Sequence, residues 1–212
     1  MTKTEKAYKN LNFLNSPAAR TVRILCEYEE PRQRLQEQNV QDTIVVYGSA
    51  RTQPGSLYYE EARELSRRLT EWSVNTEEGR YLICTGGGPG IMEACNRGAS
   101  EVEGGRSLGL GISLPFEEKV NIYVPEALAF EFHYFFMRKY WFMYLAKAAI
   151  FMPGGFGTLD EMFEALTLRQ TGKVTKPMPT VMYGAKFWGE VLNLQALVDH
   201  GTISAKDLEL VH

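Results

Sequence analysis

Short apolar runs alternate with longer amphipathic stretches from residue 43 to the end of the chain. The runs are rich in β-branched and aromatic residues and pass into turns that contain glycine or proline, a pattern that predicts buried β-strands. They are TIVVYGSA (43–50), YLICTGGG (81–88), SLGLGISL (107–114), AAIFMPGG (148–155) and PTVMYG (179–184). The stretches between them favour helices at 56–72, 89–102, 133–146, 158–172 and 186–200.

Strands that alternate with crossover helices predict an α/β fold, a Rossmann-like, doubly wound parallel sheet with helices on both faces. Such a sheet binds ligands at the carboxyl ends of its strands, where the strand order switches. Residues 1–42 do not follow the pattern, because they are polar and helix-prone, with Pro17 and Pro31 as expected interruptions. We therefore predict an N-terminal helical appendage over 1–42, packed on a Rossmann-like domain over 43–212.

The composition, with 44% hydrophobic and 23% charged residues, is that of an ordinary soluble globular protein. A net charge of −3 gives no general attraction to nucleic acid or anionic lipid, so neither is expected as a partner. The N-terminus lacks the apolar core of a signal peptide, and no stretch reaches the length of a membrane span. The three cysteines show neither a CxxC pair nor a histidine at ligand spacing. We expect a cytoplasmic protein without disulfides, metal or cofactor.

Three of the predicted strands end in small-residue turns that lead directly into a helix. The turns are Gly48-Ser49-Ala50-Arg51, Gly86-Gly87-Gly88-Pro89-Gly90 and Pro153-Gly154-Gly155-Phe156-Gly157-Thr158. Glycines let backbone N–H groups approach a ligand, and a helix N-terminus adds unpaired donors and a positive dipole end. Tight-turn geometry explains any one of these turns, but three at one edge of the sheet favour a phosphate site.

The common nucleotide-binding and hydrolase fingerprints are absent. No strand is followed by GxGxxG, since Ile91 stands where the third glycine is required, and Gly172-Lys173 lacks the rest of a P-loop. No GxSxG turn is present, and the three histidines give little support to a Ser-His triad. A dinucleotide dehydrogenase, a P-loop NTPase and a serine hydrolase are therefore disfavoured.

A cationic pair, Arg138 and Lys139, stands in the middle of the aromatic-rich stretch 132–146. A helix that is apolar all round is buried or forms a subunit interface, so this stretch predicts a homodimer. A buried guanidinium needs a carboxylate, a phosphate or water as its partner. The pair therefore belongs either to a ligand site or to a salt bridge or snorkelling contact at a dimer seam.

Glu161 also has two interpretations. Thr158-x-x-Glu161 matches a capping box, in which the hydroxyl and the carboxylate satisfy the start of a helix. Alternatively, a carboxylate one turn beyond a phosphate-binding turn acts on the rest of a nucleotide. Asp160 favours the helix dipole under either interpretation.

Together these motifs resemble the LONELY GUY family, whose members were long misnamed as lysine decarboxylases. The resemblance rests on GGGPGIMEACNRGA (86–99), on the Arg-Lys pair at 138–139 and on PGGFGTLDE (153–161). The last of these matches every fixed position of the family signature PGGxGTxxE. The resemblance covers roughly residues 43–200 and leaves out the N-terminal appendage.

The resemblance implies a phosphoribohydrolase, which uses water to cleave the N-glycosidic bond of a nucleoside 5′-monophosphate. The products are the free base and ribose 5-phosphate, and the base is either adenine, as in AMP, or an N6-modified adenine, as in a cytokinin nucleotide. By the same resemblance, Arg138 and Glu161 are the catalytic pair and Lys139 assists binding. The turn Gly154-Gly155-Phe156-Gly157-Thr158 holds the 5′-phosphate, and Thr167 contacts the substrate.

The remaining candidates for substrate binding come from the turns and the helices that follow them. They are Gly48, Ser49, Gly87, Gly88, Asp160 and Glu93. Glu93 is a candidate ligand of the base or the ribose, and its alternative role is to favour the dipole of its helix.

The chemistry of the residues agrees with this interpretation. An ionised carboxylate beside the ribose stabilises the oxocarbenium-like state of glycosidic cleavage. Arg138 is a permanent cation and a poor proton donor, so it fixes the phosphate or the ribose, and no residue is assigned to protonate the leaving base. The alternative function is a non-catalytic nucleotide or phospho-sugar binding module in which Glu161 only caps its helix. Amino-acid decarboxylation has no support, because no lysine stands in a recognisable setting for pyridoxal phosphate.

Overall fold

The centre of the fold is a parallel β-sheet. A computed structural model describes residues 4–77, 79–114 and 120–212. Within them the strands are β1 Asp42–Tyr47, β2 Tyr81–Thr85, β3 Ser107–Ile112, β4 Ala129–Phe132, β5 Ala146–Phe151 and β6 Thr180–Met182. Their order is β4-β3-β2-β1-β5-β6, and every described pairing is parallel. The predicted Rossmann-like α/β fold is confirmed.

Helices cover both faces of this sheet. In the described residues the α-helices are α1 Leu11–Leu14, α2 Arg20–Glu37, α3 Leu57–Thr76, α4 Ile91–Ser100, α5 Phe135–Leu145, α6 Phe156–Gln170, α7 Ala185–Val191 and α8 Leu194–Asp199. None of these helices combines the length and the hydropathy that a bilayer crossing requires.

Each strand contributes side chains to both faces, because successive residues of a strand point in opposite directions. In β1 every residue is buried. Val45 and Tyr47 join a core that includes Trp141 and Phe142 of α5. Ile44 and Val46 join a second core formed with α3 and α4. The continuous apolar sequence of β1 therefore reflects burial on both sides.

The sequence did not predict β4 and predicted one helix where there are two. β4 has only four residues, AFEF, and no glycine or proline separates it from α5. The stretch expected as a helix over 186–200 divides because Leu192 is extended, and the Asn193 side chain then accepts the amide of Ala196 to cap α8.

Pro31 does not interrupt the chain as expected, because it lies buried inside α2. A proline inside a helix has no N–H, so the carbonyl four residues earlier, that of Glu27, loses its helical partner. Trp141 of α5 supplies a donor instead, with its Nε1 3.0 Å from the Glu27 carbonyl oxygen. A tertiary contact thus replaces the missing helical bond. Pro17 by contrast begins a short 3₁₀ turn, Pro17–Ala19, directly before α2.

The two edges of the sheet are both covered. At β6, the amide of Met182 donates to the carbonyl of His212, and the amide of His212 donates to the carbonyl of Thr180. At β4, Arg34 of α2 donates to the carbonyl of Ala129 at 2.8 Å and lies over the Phe130 ring. These contacts pair some of the backbone groups that an edge strand otherwise leaves open to another chain. The residues expected to form an appendage therefore contact the sheet directly, and the boundary at residue 42 stays a prediction.

Helices α3 and α4 pack so closely that Gly98 of α4 has no room for a side chain. A Cβ atom there would overlap the carbonyl oxygen of Arg63 and lie 3.1 Å from the amide nitrogen of Arg67. We expect Gly98→Ala to lower the free energy of unfolding by about 1–3 kcal/mol, measured by urea denaturation.

Gly189→Ala in α7 is the matched control, since a Cβ at Gly189 meets no atom within 4 Å. This control should be neutral or stabilising by up to about 1 kcal/mol. Equal stability of the two variants would show that the contact between α3 and α4 is not tight.

Candidate active site

Three glycine-containing turns meet at the carboxyl edge of the sheet, as predicted. The amide of Ser49, after β1, donates to the carbonyl of Pro153, after β5, at 3.0 Å. The amide of Ile91, after the β2 turn, donates to the carbonyl of Ser49 at 3.0 Å. The strand order switches between β1 and β5, and an open α/β sheet binds its ligands at that point.

The turn after β5 is the start of α6. Gly155 is the N-cap residue, and no side chain caps the helix. The amides of Phe156, Gly157 and Thr158 therefore have no helical carbonyl to bind, and they carry the positive end of the helix dipole. The capping-box interpretation of Thr158 and Glu161 is wrong, because the helix begins at Phe156 and Thr158 is already its third residue.

Gly155 and Gly157 occupy positions where the protein itself does not require glycine. A Cβ atom on either residue would meet no protein atom within 4 Å, and neither residue has a positive φ. Gly154 differs, because a Cβ atom there would overlap the side chain of the buried Thr158. The open space in front of Gly155 and Gly157 suits a ligand that binds uncapped amides, such as a phosphate.

Arg138 of α5 and Glu161 of α6 form an ion pair beside this turn. Arg138 Nη1 lies 3.4 Å from Glu161 Oε1, and the two side chains are only 11% and 13% exposed. Arg138 Nε donates to the carbonyl of Leu110 in β3 at 2.7 Å, which fixes the guanidinium at the sheet edge. Gly86 makes room for it, since a Cβ atom at that position would lie 2.5 Å from Arg138 Nη2.

Burial raises the pKa of Glu161 to about 7. Desolvation is the main cause, Arg138 and Lys139 oppose it, and the neighbouring carboxylates Asp160 and Glu164 add to it. At neutral pH this carboxyl group therefore exists in both protonation states, which is the condition for a general acid or base.

Lys139 is engaged on the outer side of the same helices. Its Nζ lies 3.0 Å from Asp160 and 3.2 Å from Glu164. These carboxylates outweigh its burial and raise the pKa of Lys139. In the structure Lys139 and Asp160 pair with each other. The substrate role expected for them remains a prediction.

The turn after β2 is held by an amide network that the sequence did not reveal. Asn121 Nδ2 donates to the carbonyls of Gly87 and Gly88 at 3.0 and 3.2 Å and to Asn96 Oδ1 at 2.9 Å. The same Asn96 oxygen accepts the Thr85 hydroxyl at 2.7 Å. Gly87 has a φ of +73°, which favours glycine. The carbonyls of Gly87 and Gly88 therefore point toward Asn121, which holds the shape of the turn.

The remaining predicted residues make contacts that do not involve the ion pair. Gly48 packs against Ile91, whose Cγ2 would lie 2.6 Å from a Cβ atom. Ser49 Oγ accepts the amide of Arg51, and Glu93 accepts the hydroxyl of Tyr59 at 2.7 Å. Thr167 is exposed on α6 and, six residues after Glu161, projects about 120° away from it around the helix.

The comparison with known families identifies the class to which this fold and site belong. The family model described as "Possible lysine decarboxylase" matches residues 92–212, more than half of the chain. The chain belongs to this family, the LONELY GUY family to which its motifs point.

Individual relatives are more distant. The chain is 27% identical over 165 residues to cytokinin riboside 5′-monophosphate phosphoribohydrolase LOG2 of Arabidopsis thaliana, and the match covers 76% of this chain and 72% of that protein. The X-ray structure of TM1055 matches with a TM-score of 0.54 at 24% identity, covering 81% of this chain and 90% of that chain, and supports the fold alone. A molybdenum cofactor binding protein from the phototrophic bacterium Rippkaea orientalis matches at 23% identity, over 74% of this chain and 85% of that chain. Its TM-score of 0.47 carries no functional argument.

The raised pKa of Glu161 predicts a pH-dependent stability difference. An unfolded glutamate ionises near pH 4.5, whereas folded Glu161 ionises near 7, so the folded state loses stability as pH rises between these values. Glu161→Gln does not ionise and should therefore be more stable than the parent protein at pH 8, by on the order of 3 kcal/mol, and about equal to it near pH 4.

Urea denaturation at several pH values measures this difference. Glu190→Gln is the control, because Glu190 of α7 is exposed and this surface substitution should change the free energy of unfolding by no more than about 0.5 kcal/mol. A constant stability difference between Glu161→Gln and the parent protein across this range would contradict the raised pKa.

Proposed function

We propose that the protein hydrolyses the N-glycosidic bond of a nucleoside 5′-monophosphate, AMP or an N6-modified AMP, to the free base and ribose 5-phosphate. The observation that carries the proposal is a buried arginine–glutamate pair beside an uncapped, glycine-lined helix N-terminus. Membership of the LONELY GUY family supports the same reaction class.

The 5′-phosphate binds the amides of Phe156, Gly157 and Thr158 in this proposal. The space in front of Gly155 and Gly157 admits the phosphate, and the positive end of the α6 dipole attracts it. The next turn of the same helix then brings Glu161 toward the ribose.

Glu161 and Arg138 have distinct roles in the cleavage. The bond between C1′ and the base nitrogen breaks with its electron pair on the base, and a water oxygen bonds to C1′. Ionised Glu161 stabilises the positive charge that develops on the sugar and accepts the proton that the water loses. The departing base takes a proton from solvent water, and Glu161 returns its proton to solvent, so that the products are the neutral free base and ribose 5-phosphate. A carboxyl group with a pKa of about 7 accepts and releases a proton at neutral pH. Arg138 holds the substrate through hydrogen bonds, because a guanidinium does not release its proton.

A panel of nucleoside 5′-monophosphates, including AMP and isopentenyl-AMP, tests the reaction by chromatographic detection of the free base. We expect release from at least one adenine nucleotide, and Glu161→Gln and Arg138→Ala should each lower kcat about a hundredfold or more. Glu190→Gln should retain full activity.

A nucleotide that raises Tm without being cleaved would support the non-catalytic binding module. Base release at full rate by both site variants would refute the assignment of Arg138 and Glu161. The absence of base release from every nucleotide would refute the reaction class.

The glycine-lined turn is tested separately by filling its open space. Gly155→Ala and Gly157→Ala add a methyl group that meets no protein atom. We expect unchanged or higher Tm but at least about a tenfold rise in KM for the nucleotide, because the methyl group occupies the place of the phosphate. Gly189→Ala is the control for an added methyl group elsewhere, and unchanged KM in both site variants would place the phosphate elsewhere.

We also propose a homodimer, as the aromatic sequence of α5 predicts. Phe135, Phe136 and Tyr144 of α5 and Phe163 of α6 are all exposed in the single chain. A second copy that covers these rings would remove an apolar face from water.

A further inference from the structure

Helix α5, which carries Arg138, is held at its first turn by a side chain from α2. Glu27 Oε1 accepts the amide of His133 at 2.8 Å, and Glu27 Oε2 accepts the amide of Tyr134 at 3.2 Å. Tyr134 is the N-cap residue of α5, and its own side chain makes no capping bond. The carboxylate from α2 therefore binds the amides of the N-cap residue and of the residue before it, more than 100 residues away in sequence, and complements the positive end of the α5 dipole.

The backbone of Glu27 makes a second contact with α5. Pro31 leaves the Glu27 carbonyl without a helical partner, and Trp141 donates its indole N–H to that oxygen at 3.0 Å. Tyr28, the next residue, packs its ring against Tyr140 and Trp141 with centroids 5.7 and 5.8 Å apart. One segment of α2 thus binds α5 at its start and again about two turns later.

The opposite end of α5 is held by a charge of the opposite sign. Lys176 Nζ donates to the carbonyls of Met143 and Tyr144 at 2.9 and 2.8 Å. An anion at the N-terminus and a cation at the C-terminus both stabilise a helix. Neither charge belongs to α5 itself, so the position of the helix is set by its neighbours.

Arg138 directly follows the turn that Glu27 binds. Its amide donates to the carbonyl of Tyr134 at 3.2 Å, and its guanidinium reaches Leu110 and Glu161. A shift of the first turn of α5 would therefore move the guanidinium relative to Glu161. Displacements of about 1 Å in a catalytic group can lower a rate about a hundredfold.

We propose that Glu27 is a positioning residue for Arg138. Through the first turn of α5, Glu27 fixes the guanidinium beside Glu161 without touching the substrate. The effect on turnover rests on the proposed function, whereas the effect on the surroundings of Glu161 does not. The N-terminal segment, which lies outside the residues 92–212 that the family model matches, thereby contributes to the site.

Variants of Glu27 in the full-length protein test this role. Glu27→Ala removes both acceptors, Glu27→Gln keeps the shape and one of them, and Glu29→Ala is the control. Glu29 lies on the same helix, is exposed and pairs with Arg32. We expect kcat with the best nucleotide of the panel to fall about ten- to a hundredfold in Glu27→Ala and less in Glu27→Gln, with a smaller change in KM. Glu29→Ala should match the parent protein.

A ¹³C NMR titration of the Glu161 carboxyl separates positioning from a general loss of stability. The ionisable groups around Glu161 are Arg138 and Lys139 of α5, Asp160 and Glu164 of α6, and Tyr47 and Cys84 of the sheet. Arg138 lowers the pKa of Glu161, so a displaced guanidinium should shift the titration of Glu161 upward in Glu27→Ala. A variant that is only less stable would leave this titration unchanged.

The outcomes decide the proposal in every case. An upward shift of the Glu161 titration in folded Glu27→Ala supports it, and an unchanged titration overturns it, whatever the change in kcat. If Glu27→Ala does not fold, the same titration of Glu27→Gln decides, with an upward shift supporting the proposal and no shift overturning it. If the parent protein cleaves no nucleotide, the proposed function fails and the NMR titration alone decides the role of Glu27.

Discussion

The charged atoms of Arg138 and Glu161 lie 3.4 Å apart, on side chains that are about nine-tenths buried. Removing both charges from water costs desolvation free energy. Their mutual attraction offsets this cost only when other contacts hold the two groups in a favourable geometry. The raised pKa of Glu161 shows that desolvation outweighs the attraction of Arg138 at this position. A protein that needed only stability would gain little from this pair, so its burial is evidence of function.

The surrounding fold supplies the contacts that keep the pair in place. β3 binds the guanidinium through the Leu110 carbonyl, and Gly86 leaves space for it at the end of β2. α6 presents Glu161 one turn beyond its uncapped start. α2 and Lys176 hold the two ends of α5. Each of these elements thus contributes either a member of the pair or a contact that restrains it.

The sequence predicted those parts of the molecule that depend on local patterns. Strands buried on both faces are continuous apolar runs, so β1 and its neighbours were recognised, whereas the short edge strand β4, with its exposed Glu131, was not. The turns, Arg138 and Glu161 were singled out from residue type and spacing, whereas the pairing of Arg138 with Glu161 followed from the resemblance to the LONELY GUY family. The capping box at Thr158 failed because the N-cap residue is Gly155, three residues earlier, and the helix begins there without a side-chain cap.

Contacts between distant segments left no local signal. Glu27 and the amides that it binds are separated by 106 and 107 residues, and Asn121 reaches back 34 residues to the Gly87 carbonyl. Pro31 even gave a misleading signal, because its missing hydrogen bond is compensated by Trp141, which only the folded structure brings near. The contacts that position Arg138 and the turn after β2 therefore depend on which distant segments the fold brings together, and no local sequence motif reveals them.

The most direct test is a crystal structure of Glu161→Gln with an uncleaved nucleoside 5′-monophosphate. The account predicts the phosphate within hydrogen-bond distance of the Phe156, Gly157 and Thr158 amides, with the side chain at position 161 facing the ribose near C1′. A phosphate bound elsewhere, or a side chain at 161 turned away from the sugar, would contradict it.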